Sequence, residues 1–188
     1  MTLIFVHPLT LDRWADFERL FGPRGACGGC WCMFWKLTRK EFETGQGESH
    51  RRAQQVIIAS GQIPGLLAYV DGVPAGWIAV EPRAAYSALA RSRVLAPLDD
   101  QPVWSVPCFF VDKKFRRQGL TVVLLNAAVE YVKSQGGKVV EGYPVATTDQ
   151  KAPAVFIYTG TVSAFQKAGF VEAGRRSDKR PMMRRVIE

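Results

Sequence analysis

The stretch CFFVDKKFRRQGLTVVLLNAAVEYV, residues 108–132, decides the fold. It places four cationic side chains between two apolar runs, and both runs are suited to burial. The first run predicts a buried strand, and the second predicts a long helix over residues 120–135. The first N–H groups of such a helix have no partner inside it and carry the positive end of its dipole. A tight turn that aims them at one point is typical of an anion-binding site.

The turn itself has the composition that a phosphate site needs. Gly119 lacks a Cβ and lets the backbone approach a ligand closely, while Lys113, Arg116 and Arg117 add positive charge. No Gly-Lys-Ser/Thr follows, which excludes a Walker loop, and a single glycine excludes the Rossmann fingerprint. The turn therefore predicts a phosphate site of another kind.

The rest of the chain predicts an α/β fold, with a mixed sheet covered by helices. Asp71-Gly72 between two β-rich runs predicts a tight hairpin. The predicted order is a strand (TLIFVHP), two helices (LTLDRWADFERLFG and ESHRRAQQVIIASG), the hairpin (GLLAYVDGVPAGWIAVEPR), a short helix near residues 86–91, one buried strand (VWSVPCFFVD), the long helix, a strand (KVVEGYPV), a helix (TGTVSAFQKAGF) and two closing strands (FVEAGRR and PMMRRVIE).

The segment VDKKFRRQGLT resembles the pyrophosphate-binding motif of the GNAT superfamily of N-acetyltransferases. Arg116, Gly119 and Thr121 fall on the three motif positions, and Thr121 departs from the usual Gly or Ala. The ending FQKAGF is similar to that of the family's last helix. The resemblance implies a central, mostly antiparallel sheet that is splayed at the cofactor site, with helices on both faces. It implies one domain over residues 1–188, with the acceptor side in 1–65 and the acyl-CoA core in 104–170.

The resemblance also implies the cosubstrate and the reaction. Acetyl-CoA would give its acetyl group directly to a primary amine of an unidentified small-molecule or peptide acceptor. Backbone groups of the central strand would pair with the pantetheine arm and stabilise the oxyanion, and N–H groups of the turn would hold the pyrophosphate. The implied cofactor-binding residues are Phe109, Phe110, Val111, Arg116, Arg117, Gln118, Gly119, Leu120, Thr121 and Tyr158.

The proton-transfer residues are less clear, because Phe165 stands where the family commonly has a tyrosine that donates to the CoA thiolate. Tyr143 and Tyr158 are the substitutes that the sequence offers. Glu141 shares a strand face with Tyr143, and a carboxylate in an apolar strand is costly unless it is paired or useful. Glu141 and Tyr143 are therefore the predicted catalytic residues. The alternative for Glu141 is an ion pair with Arg or Lys.

Three of the four cysteines, Cys27, Cys30 and Cys32, lie within the segment ACGGCWCMFW. A structural zinc site needs four ligands, and His50 is the best fourth candidate but is poorly spaced, so no metal is predicted. The segment could instead line the acceptor pocket, with Trp31 and Cys32 as its wall, or pack in the core. Both interpretations remain open on the sequence.

The chain has a net charge of +8 and a pI of about 9.6, which suits a polyanionic partner. A nucleic-acid-binding module is disfavoured because the aromatic residues lie in apolar runs and are not interleaved with Lys and Arg. A domain that binds acyl-CoA without catalysis is a further alternative. No signal peptide or membrane span is predicted, so a cytoplasmic location is expected. The closing strands could pair between chains in a homodimer.

Overall fold

The computed structural model describes residues 2–146 and 157–188. These residues form nine strands and six α-helices, which confirms the predicted mixed α/β fold. The strands are β1 (Ile4–Pro8), β2 (Gly65–Val70), β3 (Val73–Ala79), β4 (Glu81–Pro82), β5 (Trp104–Val106), β6 (Phe109–Val111), β7 (Val139–Gly142), β8 (Val171–Arg175) and β9 (Pro181–Val186). The helices are α1 (Trp14–Phe21), α2 (Arg39–Thr44), α3 (Glu48–Ala59), α4 (Ser87–Arg91), α5 (Leu120–Ser134) and α6 (Val162–Lys167).

The strands form two sheets, with the orders β1-β2-β3-β6 and β4-β5-β7-β9-β8. Within them β5 and β7 are parallel, and the other pairs are antiparallel. The β2–β3 hairpin turns at Asp71 and Gly72, which both have positive φ, as the sequence predicts. The mostly antiparallel arrangement is therefore confirmed.

The predicted single strand over VWSVPCFFVD is wrong, because the structure divides it into two strands in different sheets. β5 pairs with β7 up to Val106 and Gly142, whereas β6 pairs with β3. Pro107, which has no N–H and a fixed φ, lies between the two strands and interrupts the ladder. The two sheets part at this point, and the splay predicted from the resemblance lies between β6 and the end of β7.

Helix α5 packs against one face of the first sheet, and α1 packs against the opposite face. Gly76 in β3 permits the close approach of α5, because a Cβ there would lie 3.0 Å from the Leu120 side chain. The sequence predicts α5 and α1 but not α2. Thr38 and Glu41 form a capping box at the start of α2, a signal that was present in the sequence.

Candidate functional site

The turn between β6 and α5 is built to expose backbone N–H groups. After β6 the Asp112 carboxylate accepts from the Lys114 N–H at 2.8 Å and closes a short 3₁₀ turn. Arg117 and Gly119 then adopt φ values of +62° and +79°. A Cβ added to Gly119 would meet no atom within 4 Å, so the space in front of α5 is open. The N–H groups at the start of the helix have no partner inside it and face this open space, an arrangement that suits a pyrophosphate.

The charge of this turn has no counterpart among the described residues. Lys113, Lys114, Arg116 and Arg117 take part in no salt bridge within residues 2–146 and 157–188. Arg116 is held in place because its Nε donates to the Val111 carbonyl at 2.9 Å. Within the described part of the chain the turn thus presents four cations that form no salt bridge, one of which, Arg116, is held in place.

Backbone direction divides the residues of β6 into two sets. The Cys108 carbonyl accepts from β3 and the Asp112 N–H donates to β3, each at 3.0 Å. Because successive residues of an antiparallel strand alternate in direction, Phe110 also faces β3, whereas Phe109 and Val111 face the splay. The structure places Phe109 and Val111 where a ligand between the sheets could reach their backbone.

The other predicted cofactor-binding residues lie in two kinds of place: some side chains are packed in the core and others lie at the turn. The Phe110 ring packs 5.3 Å from the Phe21 ring on the α1 side of the sheet. The Leu120 side chain is buried in the core, so only its backbone is available to a ligand. Gln118 and Thr121 lie at the turn, and the Gln118 amide donates to the Lys114 carbonyl at 2.9 Å.

Tyr158 lies across the splay from β6. Its carbonyl accepts from the Phe109 N–H at 2.6 Å, and its ring meets the Phe34 ring at 6.4 Å. Burial raises the pKa of the Tyr158 hydroxyl to about 12. The Phe109 N–H that faces the splay is therefore satisfied by the chain's own carbonyl in this conformation.

Glu141 is fully buried and bound by two arginines. Arg83 Nη1 and Arg184 Nε donate to its two oxygens at 3.0 and 2.7 Å. The Tyr143 hydroxyl donates to Glu141 at 2.8 Å and lies 2.7 Å from the Ser105 hydroxyl. Burial, with the Glu141 charge, raises the pKa of Tyr143 above its usual range. This geometry favours the alternative interpretation, in which Glu141 is a partner for arginine. Neither arginine was foreseen from the sequence.

Phe165, which stands where the resemblance implies a tyrosine, is also fully buried. It makes edge contacts with Phe109 and Phe170 at 6.0 and 5.0 Å between ring centroids. A Cβ on Gly160 would lie 2.7 Å from the ring, and one on Gly142 would overlap it. The two glycines leave room for the phenyl ring of Phe165. This ring has no hydroxyl that could donate a proton.

Trp31 and Cys32 belong to the core on the α1 side of the sheet. Trp31 packs against Trp14, Phe17 and Phe21 with ring centroids 5.8 to 6.3 Å apart. Only 5% of Trp31 and 6% of Cys32 are exposed. The core interpretation of these two residues is therefore favoured over a pocket wall, although the Trp31 edge reaches an open surface cleft beside α1 and α3.

The cysteine segment does not form a metal centre in the described part of the chain, where no three side chains of His, Cys, Asp or Glu are grouped to hold an ion. His50 is buried in α3, and its Nδ1 lies 3.0 Å from the Gly29 carbonyl. All four cysteines are free thiols. None of the helices in residues 2–146 and 157–188 is long and apolar enough to span a membrane.

Comparison with known proteins identifies the family. The model of the acetyltransferase (GNAT) family matches residues 31–159. The chain belongs to the GNAT family of acetyltransferases. A search of curated proteins finds no significant match. Acetyl-CoA as cosubstrate is consistent with GNAT membership, and the family resemblance of the sequence is confirmed.

Solved GNAT structures share the fold over nearly the whole chain. An acetyltransferase from Streptococcus pneumoniae is 17% identical, covers 99% of this chain and 100% of its own, and has a TM-score of 0.58. The PaiA N-acetyltransferase from Thermoplasma acidophilum, in complex with coenzyme A, is 13% identical, with coverages of 98% and 99% and a TM-score of 0.55. The aminoglycoside acetyltransferase AAC(6')-Ib, also with coenzyme A, is 16% identical, with coverages of 98% and 95% and a TM-score of 0.55.

Proposed function

We propose that the protein transfers an acetyl group from acetyl-CoA directly to a primary amine of a small-molecule or peptide acceptor. The observation that carries this proposal is the turn before α5, with left-handed Gly119, open space in front of the helix and four cations that form no salt bridge among the described residues. GNAT relatives with coenzyme A bound support the assignment. The free thiols support action in a reducing compartment such as the cytoplasm.

Three parts of this site have separate tasks. Acetyl-CoA supplies the activated thioester. The N–H groups at the start of α5, with Arg116 and Arg117, hold its pyrophosphate. The Phe109 N–H, which faces the splay, is the proposed donor to the acetyl carbonyl oxygen as negative charge develops there. The Tyr158 carbonyl now accepts from this N–H, so an incoming acetyl group has to displace it.

Glu141 and Tyr143 are positioning residues in this proposal: they hold the end of β7 in place and do not contact the amine. Two guanidinium groups occupy both carboxylate oxygens of Glu141, and Tyr143 donates to the same carboxylate. A base whose lone pairs are held in this way is poorly placed to take a proton from an ammonium group. The ion pairs support a role in which Glu141 fixes the end of β7 at the splay.

Two alternatives remain distinguishable by experiment. Phe165, which has no hydroxyl, keeps open a domain that binds acyl-CoA without transferring the acetyl group. The net charge of +8 keeps open nucleic-acid binding, whose affinity would fall steeply as the salt concentration rises.

The test is calorimetric titration of acetyl-CoA into the wild type and into the double variant Arg116→Ala with Gly119→Val. Charge-assisted hydrogen bonds are worth about 1.5–3 kcal/mol each, and the valine adds a Cβ where the site is open, so affinity should fall at least about tenfold. Lys133→Ala, a cation at the other end of α5, is the matched control and should bind like the wild type.

Release of CoA in the presence of a panel of primary amines then separates an enzyme from a silent binding domain. Binding by the wild type without release of CoA for any amine would support the silent domain. A folded wild type that binds no acetyl-CoA would overturn the proposal.

A further inference from the structure

Arg180 lies beside the splay, on the face of the second sheet opposite α5. It directly precedes β9, in which Met182 packs in a cluster with Trp35, whereas the following residue, Met183, packs in the cluster that contains α5. Because successive side chains of a strand point to opposite faces, Arg180 lies on the face of Met182 and Trp35. Trp35 belongs to the part of the chain that is predicted to form the acceptor side, so Arg180 faces that side.

Two hydrogen bonds fix the Arg180 guanidinium at the edge of the splay. Its Nη1 donates to the carbonyl of Tyr143, directly after β7, at 3.2 Å and to the buried Thr159 hydroxyl at 2.9 Å. The residue before Thr159 is Tyr158, whose carbonyl accepts from the Phe109 N–H. That N–H is the proposed donor to the acetyl oxygen. Arg180 is therefore anchored to the residue next to the one that covers the reacting position.

The same two hydrogen bonds leave one edge of the Arg180 guanidinium free. They use both N–H groups of Nη1, and the remaining donors are on Nε and Nη2. Neither of these two atoms has a hydrogen-bond acceptor within residues 2–146 and 157–188, where Arg180 also forms no salt bridge. The side chain is partly exposed, so solvent and ligands can reach it. Such an edge binds the two oxygens of a carboxylate through parallel hydrogen bonds.

An aromatic ring offers an apolar surface beside the same position. Phe34 is 43% exposed, and its ring makes edge contacts with Trp35, Phe42 and Tyr158 at 5.1 to 6.4 Å between ring centroids. These three contacts hold the ring in one orientation. Tyr158 therefore has a fixed apolar surface against its ring and the Arg180 cation beside the next residue of its backbone.

We propose that the acceptor is a primary amine that also carries a carboxylate, and that the free edge of Arg180 binds this carboxylate; the inference rests on the proposed acetyl transfer. The apolar part of the acceptor lies on Phe34, and its amine faces the acetyl group at the Phe109 N–H. Amino acids and other aminoalkanoic acids have these parts. A polyamine lacks the carboxylate, and Arg180 repels its additional cations.

Arg180 acts in this proposal by positioning the acceptor and takes no part in the transfer of protons. The neutral amine nitrogen bonds to the acetyl carbon, the C–S bond of the thioester breaks, and one amine proton ends on the CoA sulfur. The guanidinium keeps its protons throughout, because its pKa lies far above neutral pH. Its contribution is to hold the carboxylate, and with it the amine, beside the acetyl group.

The experiment compares matched acceptors that differ only in the carboxylate: leucine with leucinamide, phenylalanine with phenylalaninamide, and β-alanine with β-alaninamide. The release of CoA at saturating acetyl-CoA gives kcat/KM for each acceptor. Because hydrogen bonds to a charged group are strong, the carboxylate member of at least one pair should have a kcat/KM about tenfold higher in the wild type. Equal values, or higher values for the amide, in all three pairs would overturn the proposal.

Arg180→Ala separates recognition of the carboxylate from a structural role. It should lower kcat/KM about tenfold for the carboxylate member and bring the ratio within the pair close to one. A purely structural role would lower both members equally and keep the ratio, which would contradict the proposal. Arg180→Lys keeps the charge but not the parallel edge, and should retain part of the preference. Arg176→Ala, the matched control on the same turn, also loses hydrogen bonds to two backbone carbonyls and should keep the ratio.

Calorimetry keeps the two proposals apart. Failure of the wild type to bind acetyl-CoA counts against the acetyltransferase assignment, whereas loss of this binding in a folded Arg180→Ala protein would place Arg180 in the cofactor site and overturn the present inference. Where the wild type binds acetyl-CoA but releases no CoA, titration of the three carboxylates into the CoA-loaded protein decides. Binding that is weaker for the amides and lost in Arg180→Ala supports the carboxylate site, and the absence of binding overturns it. The wild-type comparison of matched acceptors decides even where Arg180→Ala does not fold.

Discussion

The arginines beside Glu141 and those of the turn before α5 differ in what faces them. Arg83 and Arg184 are nearly buried, and both bind the Glu141 carboxylate. Arg116 and Arg117 have no carboxylate partner among the described residues, and they flank a helix start with open space before it. The charge of the first group is paired with Glu141 inside the protein. The charge of the second group is available to bind an anionic ligand.

This contrast shows why the presence of a charged residue near a cleft does not by itself assign a role. A buried carboxylate looks catalytic in the sequence, because burial without a purpose is costly. Once both oxygens are bound by guanidinium groups, burial has a structural reason. The cations at the turn have no such internal partner among the described residues. Their arrangement is therefore better explained by a bound anion than by a structural role.

The largest expected effect tests the partnered side of the comparison. Glu141→Gln removes the charge that compensates Arg83 and Arg184 and leaves buried cations without their partner. Breaking a buried ion pair from one side typically costs about 3–5 kcal/mol, so the free energy of unfolding measured in urea should fall by about that amount. Glu130→Gln, an exposed change on α5, is the matched control and should be nearly neutral.

The same variant decides between the two roles of Glu141. Unchanged stability of Glu141→Gln, with a large loss of turnover for an amine that the wild type acetylates, would restore the general-base interpretation and remove the contrast between the two arginine groups.

A smaller loss of stability is expected from a change at Phe165, where the core is already filled. Phe165→Tyr adds a hydroxyl to a fully buried ring whose end already lies against Gly142. Overpacking a filled core usually costs about 1–3 kcal/mol, so the unfolding free energy should fall by that amount and acetyl transfer should not rise. Phe5→Tyr, a change on the exposed strand β1, is the control. A stable Phe165→Tyr protein with faster turnover would mean that the tyrosine usual in the family can be accommodated at this position.

The sequence predicts the turn better than the network around Glu141, and the reason is distance along the chain. The β6–Gly119–α5 segment carries its signals within about 25 residues, since strand, glycine, cations and helix are local features. Glu141 meets Arg83 and Arg184 across sequence separations of 58 and 43 residues, which no local pattern reports. Pro107 was a local signal for the divided strand, and Thr38 with Glu41 was one for α2. Aromatic density around Trp31 is common to a core and a pocket wall, so packing alone separates them.

The smallest expected effect lies at the solvent-facing side of the Glu141 network, where Arg184 also binds the half-exposed Asp99. Arg184 Nη1 and Nη2 donate to Asp99 at 2.6 and 3.0 Å, and these hydrogen bonds lower the pKa of the Asp99 carboxyl. A carboxyl whose pKa is lower in the folded state stabilises the protein above its unfolded pKa, and this contribution is lost as pH falls through the folded pKa. Asp99→Asn should therefore be slightly less stable than the wild type at neutral pH, and the difference should vanish in acid. Urea unfolding of both proteins across pH measures this difference. Because solvent screens Asp99, the loss should be several-fold smaller than that of Glu141→Gln, and an equal loss would show that Arg184 depends on its exposed partner as much as on its buried one.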